Sequence, residues 1–199
     1  MRNYLKFLDY LTDMLNRHFQ EQAPFIKCCK GCAKCCSNGD YPFSEMEIKL
    51  LKIGFYELDD EKKQIIKNNI RQIITDKQNF TGENFRYTCP FLIDDVCSVY
   101  EYRGIICRTF GLISTKKDSK MQVPFCVHEG LNYSNVLDKN TGMLSEKLLK
   151  EQGITVEPVA YNIHYSFLTS DKIEDAYDFK FGKKSALIDL LAEEKTFIY

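Results

Sequence analysis

Apolar residues recur every three or four positions at the start of the chain, where Leu8, Leu11, Leu15 and Phe19 share one helical face. Charged residues interrupt this stretch, and no small-residue cleavage site follows it, so we interpret it as a docked helix and not as a signal peptide. The pattern predicts an N-terminal helix within residues 1–24 that packs one face on the body of the protein.

Two further helices are predicted after residue 43. Ser44 followed by Glu47 forms a capping box, which predicts a helix that starts there and ends near Glu57. Asp59 or Asp60 can cap a second helix that runs to about residue 76, with isoleucines on its apolar side.

The second half of the chain shows weaker periodicity. Asp94 and Asp95 suit a turn between two short extended pieces, and helical patterns return at 143–151 and 185–194. We therefore predict one α+β domain that is mostly helical, with a loop-rich cysteine-ligated metal core and little sheet. Within residues 1–199 it would comprise an N-terminal helix (1–24), a cysteine-cluster module (25–130) and a C-terminal extension (131–199).

Composition and charge narrow the function classes. A chain of 199 residues that is 44% hydrophobic can form one ordinary core. Its 27 basic and 28 acidic residues nearly cancel, and no basic stripe with interleaved aromatics is present, so we expect no nucleic-acid partner. No run of ~18 apolar residues suggests a membrane span, so we expect no membrane partner.

Nine cysteines are the most unusual feature of the composition, and five of them lie within residues 28–36. We found no export signal and therefore expect a cytoplasmic protein, in a compartment where disulfides do not normally persist. An odd number of cysteines with two adjacent pairs also suits a disulfide framework poorly. These thiols are therefore predicted to hold metal.

The cysteine loop can be read in a first register, in which Cys28, Cys32 and Cys35 have the C-x3-C-x2-C spacing of radical S-adenosylmethionine cluster loops. That class needs many strand and helix units after the loop, and an aromatic residue usually precedes the last cysteine. Lys34 occupies that position and helices follow, so we disfavour this register.

In the second register the loop reads C-x2-C-x2-C-C, and turns of this length let successive thiolates converge on one centre, as in ferredoxin loops. The four later cysteines are separated by gaps that fit no zinc-finger or zinc-ribbon pattern. The side chains of adjacent Cys35 and Cys36 should diverge, which favours a site with more than one metal atom. The cysteines in this register are Cys29, Cys32, Cys35 and Cys36 in the loop, followed by Cys89, Cys97, Cys107 and Cys126.

Three segments together resemble a known family. The run CKGCAKCC from Cys29, CPFL at Cys89 and CSVYEYRGIICRTF from Cys97 are similar to the CxxCxxCC family of YkgJ-type cysteine-cluster proteins, described as zinc- or iron-chelating domains. The resemblance covers roughly residues 28–126. It implies seven metal ligands, and Cys126 completes an even set of eight by count. The seven implied ligands are Cys29, Cys32, Cys35, Cys36, Cys89, Cys97 and Cys107.

The chain departs from the family pattern at two positions. Ala33 stands where a glycine is common in the cluster loop, and Gly104 replaces a common proline. We expect Ala33 to alter how closely backbone amides approach sulfur. Gly104 should only loosen a turn, without a change of metal.

A thiolate centre needs compensating charge. Eight thiolates around two zinc ions leave about −4, whereas a four-iron cluster with four thiolates leaves about −2, and nearby donors must offset either charge. Lys30, Lys34, Arg103 and Arg108 are within a few residues of predicted ligands. Arg108, directly after Cys107, is predicted to donate a hydrogen bond to the thiolate ligands without binding the metal itself.

Two further residues leave alternatives open. Cys28 is an exchangeable ligand, a resolving thiol for redox work or a buried apolar residue. His128, two residues after Cys126, is a reserve ligand.

These observations leave three alternative functions. The first is an Fe–S protein, with a 4Fe-4S cluster used in redox chemistry or electron transfer with a redox or protein partner that the sequence does not identify. The second is a binding module that zinc holds together without redox activity. The third is a metal-dependent enzyme acting on a protein side chain or small substrate, and it ranks last because the sequence offers no nucleophile and base pair.

Overall fold

The computed structural model describes residues 1–29, 31–115 and 120–198. It confirms the N-terminal helix, α1, which spans Arg2–Glu21. The buried face of α1 includes Leu8, Leu11 and Leu15 at the predicted helical spacing. A short 3-10 helix, Ala23–Phe25, then leads into the cysteine loop.

The two helices that follow begin at the predicted caps. Helix α2, Glu45–Tyr56, starts with a complete capping box, in which the Ser44 backbone N–H donates to Glu47 Oε2 at 2.8 Å. Helix α3, Asp60–Asn79, is capped by Asp59, whose carboxylate accepts from the Lys62 N–H at 2.8 Å. Local chemistry therefore fixes where both helices start.

Strand β1, Pro42–Ser44, precedes α2 and pairs antiparallel with β8, Lys184–Ala186, so that Ser44 lies opposite Lys184. In the described part of the chain every sheet has two strands. The other strands pair as hairpins: β2 (Leu92–Ile93) with β3 (Val96–Cys97), β4 (Ser114–Thr115) with β5 (Met121–Gln122), and β6 (Leu137–Asp138) with β7 (Met143–Leu144).

Helices in the second half of the chain are short. The helices predicted at 143–151 and 185–194 are present, but both start later because β7 and β8 occupy their first residues. The segments are α4 (Ile105–Thr109), α5 (Glu146–Glu151), α6 (Tyr165–Leu168), α7 (Asp171–Tyr177), α8 (Leu187–Glu193) and α9 (Lys195–Ile198), with 3-10 turns at Tyr100–Tyr102 and Phe125–Glu129. The fold is a mostly helical α+β domain with little sheet, as predicted.

The largest hydrophobic cluster joins α2, α3, α8 and α9, which we call the helical frame. Phe55 of α2, Ile66 and Ile70 of α3, Leu191 of α8 and Phe197 of α9 are all buried within it. A second cluster lies between α1, α2 and α4, and a third, smaller one surrounds Tyr133. Within residues 1–29, 31–115 and 120–198, no helix combines the length and apolar character needed to cross a membrane.

Candidate metal centre

Two backbone hydrogen bonds shape the cysteine loop (residues 28–36), of which the structure describes 28–29 and 31–36. The Cys32 N–H donates to the Cys29 carbonyl at 3.1 Å, and the Cys36 N–H donates to the Ala33 carbonyl at 2.8 Å. Ala33 has φ of 48°, in the left-handed region that favours glycine. This backbone requirement explains why a glycine is the common residue at this position.

The sulfur atoms of Cys35 and Cys36 are 3.9 Å apart. The structure therefore differs from the expectation that adjacent side chains diverge, because the turn that starts at Ala33 ends on Cys36 and leaves the two thiols side by side. Both sulfurs can thus face a single multinuclear centre.

Three later segments bring further thiols to Cys36. The Cys89 N–H donates to the Cys36 carbonyl at 2.7 Å, Cys97 ends strand β3, and Cys107 lies on α4. The predicted turn between β2 and β3 is present, and both of its aspartates have positive φ. We call the thiols of Cys35, Cys36, Cys89, Cys97 and Cys107 the inner thiols.

Burial and mutual proximity raise the pKa of two inner thiols, those of Cys89 and Cys107. Burial, together with the neighbouring Cys97 and Cys35 thiols, raises the pKa of Cys89 to about 12. Burial, followed by the thiols of Cys89 and Cys97, holds the pKa of Cys107 well above its usual range. These thiols stay protonated at neutral pH in the absence of a cation, so metal binding there must release protons.

Backbone amides support two of these sulfurs. The Phe91 N–H donates to Cys89 and the Val99 N–H donates to Cys97, and each bond partly offsets the rise in pKa caused by burial. Arg103 also acts on Cys97 as a nearby cation. Amide hydrogen bonds to sulfur stabilise thiolates in metal and Fe–S sites.

Glu47 anchors the helix that carries Cys107. Its fully buried carboxylate accepts the Ile105 N–H of α4 at 2.8 Å and the Tyr165 hydroxyl at 2.7 Å, and burial raises its pKa. A Cβ at Gly104 would lie 2.5 Å from Phe43 and 2.9 Å from Glu47. Gly104 therefore permits close packing of the start of α4 on β1 and on the Glu47 side chain, which is a stronger role than the loosened turn that the sequence suggested.

A second group, the outer thiols, consists of Cys28, Cys32 and Cys126. The Cys28 thiol lies close to those of Cys126 and Cys32. Its interaction with Cys126 raises the pKa of Cys28 and lowers that of Cys126.

Asn132, which is fully buried, holds this group in place. Its Oδ1 accepts the N–H groups of Lys27 and Cys28 at 2.7 and 2.9 Å, and its Nδ2 donates to the Gly111 carbonyl at 2.9 Å. The backbone N–H of Asn132 donates to the Cys126 sulfur. One side chain thus joins three separate segments around Cys28, and the sequence contains no local pattern that would reveal it.

Cys35 links the two groups. Its thiol interacts electrostatically with Cys28 and Cys126 of the outer group and with Cys89, Cys97 and Cys107 of the inner group. Cys29 is exposed, and its carbonyl closes the first turn of the loop.

Comparison with known proteins now identifies the family. A family model described as "Putative zinc- or iron-chelating domain" matches residues 28–127. The chain belongs to the CxxCxxCC family. No curated protein and no solved structure matches the chain.

Seven of the eight cysteines predicted as ligands of the CxxCxxCC site therefore lie in the two thiol groups. The eighth, Cys29, does not have such a contact within the part of the chain that the structure describes. His128 is exposed on the Phe125–Glu129 turn, beside Cys126. The assignment of the eight as ligands stays a prediction.

The cations predicted to offset the site's charge have varied partners. Arg108 donates to Thr12 Oγ1 at 3.1 Å and to the carbonyls of Arg103 and Glu101, so its role as a thiolate donor stays a prediction. Lys34 pairs with Glu129 at 3.6 Å, and Lys30 lies outside the described residues.

Two observations test whether a metal centre fits the CxxCxxCC site. In ranges 1–29, 31–115 and 120–198, no three His, Cys, Asp or Glu side chains are close enough to hold one ion, so the thiols are gathered but not closed around a metal. The Tyr41 hydroxyl, close to Cys89, Cys36 and Cys107, is buried without a partner in those ranges. Sulfur-only donors and an unsatisfied hydroxyl beside them fit a soft metal centre.

A cavity of about 510 Å³ adjoins Cys35, one of the inner thiols. Tyr41 also forms part of its wall, and Phe85, Phe110 and Phe125 supply aromatic surface. Its size is within the range of small-molecule sites in proteins, so Cys35 lies beside a space that a small molecule can enter.

Proposed function

We propose that the chain holds a polynuclear centre on its inner thiols and that this centre is an Fe–S cluster, of the 4Fe-4S type, used in redox chemistry or electron transfer. The observation that carries the proposal is the gathering of five half-buried thiols from the cysteine loop, from residues 89–97 and from α4. Ligation by thiolates alone is typical of iron–sulfur clusters.

A bound cluster would supply one-electron transfer. The residues of the chain would set its environment. The amides of Phe91 and Val99 stabilise negative charge on two sulfurs, and Arg103 adds a cation close to Cys97. Hydrogen bonds to sulfur and partial burial are the main means by which a protein tunes such a centre.

The proposal includes a reducing compartment, the cytoplasm, because free thiols persist there. It also includes a redox or other protein partner that receives or delivers the electrons. The exposed side of the cysteine loop, which carries Cys28 and Cys29, is a surface close to the thiols that such a partner can approach.

Zinc is the second candidate metal, and the short elements around the thiols favour it. The strands that carry or flank Cys97 have two residues each, and α4 has five. Segments of this length gain order when a metal joins them, as in small zinc domains. A zinc-bound form would serve as a binding module without redox activity.

The cavity beside Cys35 favours the third candidate, a metal-dependent enzyme acting on a small substrate or protein side chain. Such an enzyme requires an open coordination position at the metal. A substrate in this cavity would meet the inner thiols from the side of Tyr41.

Anaerobic purification followed by metal and acid-labile sulfide analysis tests the proposal. Iron with matching sulfide and a broad absorption band near ~400 nm would support the Fe–S cluster. Zinc without sulfide would support the zinc-bound module, and a protein that binds neither metal would contradict both.

A pair of variants tests the location of the centre. Cys107→Ser should lose the metal, because Cys107 is an inner thiol. Cys28→Ser should keep it, because Cys28 is not among the eight cysteines predicted as ligands. Unchanged metal content in Cys107→Ser would contradict the ligand assignment.

A further inference from the structure

Tyr41 presents a buried hydroxyl with an unmet hydrogen-bonding requirement. The residue is only 3% exposed, and its hydroxyl finds no partner within the described ranges. Buried polar groups are almost always hydrogen-bonded in folded proteins, because an unpaired one has lost its bonds to water. This hydroxyl therefore indicates an acceptor that becomes available only after the chain has folded.

The position of this hydroxyl is fixed from several sides. The Leu187 N–H of α8 donates to the Tyr41 carbonyl at 2.7 Å, which ties the backbone to the helical frame. The ring packs edge-on against Tyr87 and Phe110, with centroids 5.5 and 6.4 Å away. A Cβ at Gly39 would lie 2.6 Å from the hydroxyl oxygen, so only glycine leaves room for it there.

The groups close to the hydroxyl are inner thiols. Cys35 lines the same cavity as Tyr41, and the Tyr41 ring contacts that of Phe110, which closely follows Cys107 in the chain. The charges of Cys89, Cys36 and Cys107 also act on this hydroxyl. A protonated thiol is a weak acceptor, whereas a metal-bound cysteine is a thiolate that keeps negative charge on sulfur and accepts a stronger hydrogen bond. The hydroxyl would therefore gain a good acceptor when a metal converts these thiols to thiolates.

We propose that the Tyr41 hydroxyl donates a hydrogen bond to a sulfur of the loaded inner thiols and acts as a positioning residue for the bound metal centre. The inference rests on the proposed function, since it requires a metal on these thiols. It adds a residue outside the cysteine motif, contributed by the segment that joins the cysteine loop to α2. No electron or group transfer is assigned to Tyr41.

Tyr41→Phe removes the hydroxyl and keeps the ring. In the metal-loaded protein, we expect this variant to bind iron or zinc about 10- to 100-fold more weakly in competition with a chelator, the range found for lost second-shell bonds. The absorption band of the thiolate–metal bonds should also shift, because the electron density on the bonded sulfur changes.

Tyr87→Phe is the matched control. Tyr87 belongs to the same aromatic contact and is near Cys89, but its hydroxyl accepts the Ile188 N–H at 3.2 Å. This variant should leave the absorption band in place and keep metal affinity close to that of the unmodified protein. An equal loss of affinity in both variants would contradict a specific role for Tyr41.

Unfolding of the metal-free proteins separates positioning from a purely structural role. Tyr41→Phe should be at least as stable as the unmodified protein without metal, since it removes an unpaired hydroxyl. Lower metal-free stability, or unchanged metal affinity and absorption, would overturn the inference alone. If the unmodified protein binds neither iron nor zinc, the proposed function falls and this inference falls with it.

Discussion

The helical frame and the thiol-bearing segments achieve order in different ways. In the frame, the long helices α2 and α3 pack with the short helices α8 and α9 and bury large apolar side chains such as Phe55, Ile66 and Phe197. The segments around Cys36, Cys89 and Cys97 consist of turns and two-residue strands joined by single hydrogen bonds.

This difference indicates which part of the molecule depends on a bound metal. Apolar burial contributes about 25 cal/mol per Å² without any ligand, so the frame can fold by itself. The inner thiols have lost water around them and carry few strong partners, so their segments gain most from a cation. The frame thus provides a rigid support on which a metal can order the thiols.

Metal removal should produce the largest difference between the helical frame and the thiol-bearing segments. Stripping a loaded protein with a chelator should free residues 28–36 and 89–97 for proteolysis, since a thiolate-bound structural metal can contribute on the order of 10 kcal/mol. Helical circular dichroism should fall only slightly, because the frame does not use the metal. Complete loss of the helical signal together with the metal would show that the two regions are not separable.

Phe55→Ala tests the frame directly. Phe55 is buried and packs edge-on against Phe197 with centroids 5.0 Å apart, so its truncation should lower the free energy of unfolding by about 3–5 kcal/mol. Denaturant unfolding with and without metal measures this. The adjacent Tyr56 is 59% exposed, and Tyr56→Ala should cost less than about 1 kcal/mol. Equal costs would contradict the packing described for α2.

Ala33→Gly should stabilise the cysteine loop by relieving the backbone strain at residue 33. An L-residue in the left-handed region is strained by roughly 1–2 kcal/mol, part of which glycine returns as greater freedom of the unfolded chain. We expect a net gain of about 0.5–1 kcal/mol in unfolding experiments on the metal-free protein. Ala192, exposed on α8, is the control, because Ala192→Gly should destabilise a helix by up to about 1 kcal/mol.

The smallest effect on stability is expected from a substitution of Glu174, which lies outside both thiol groups. The Phe181 N–H, followed by Lys180, holds the pKa of this carboxyl below its usual value of 4.5. A lowered folded-state pKa stabilises the protein above about pH 4.5, and this contribution disappears as pH falls through the folded pKa. Glu174→Gln should therefore lower stability at pH 7, with a difference that shrinks in acid. A pH-independent difference would mean that the hydrogen bond, and not the charge, is what matters.

The sequence predicted features that depend on neighbouring residues. The capping box of Ser44 and Glu47 and the turn at Asp94 and Asp95 are written in a few adjacent positions, and both are present. The N-terminal helix predicted from the spacing of apolar residues is also present, as α1, for the same reason. That the later cysteines share a metal site with the loop stays a prediction.

Features that depend on distant residues were not predictable. Strands β1 and β8 have three residues each and lie about 140 positions apart, so neither has a pattern of its own. Asn132 and Tyr41 belong to ordinary polar and turn segments, and only the folded chain brings them to the thiols. The approach of Cys28 to Cys126 has the same origin.

The pairing of β1 with β8 has a consequence for synthesis. Tyr41 and strand β1 receive their backbone partners from residues 184–187, so the support beneath the inner thiols cannot form until that late segment has left the ribosome. Contacts of such long range also form slowly. All the cysteines are therefore made well before their scaffold exists, and during this interval they are open to wrong metals, oxidants and mispairing. A cell making this protein should benefit from delivering the metal after translation, once β8 is in place.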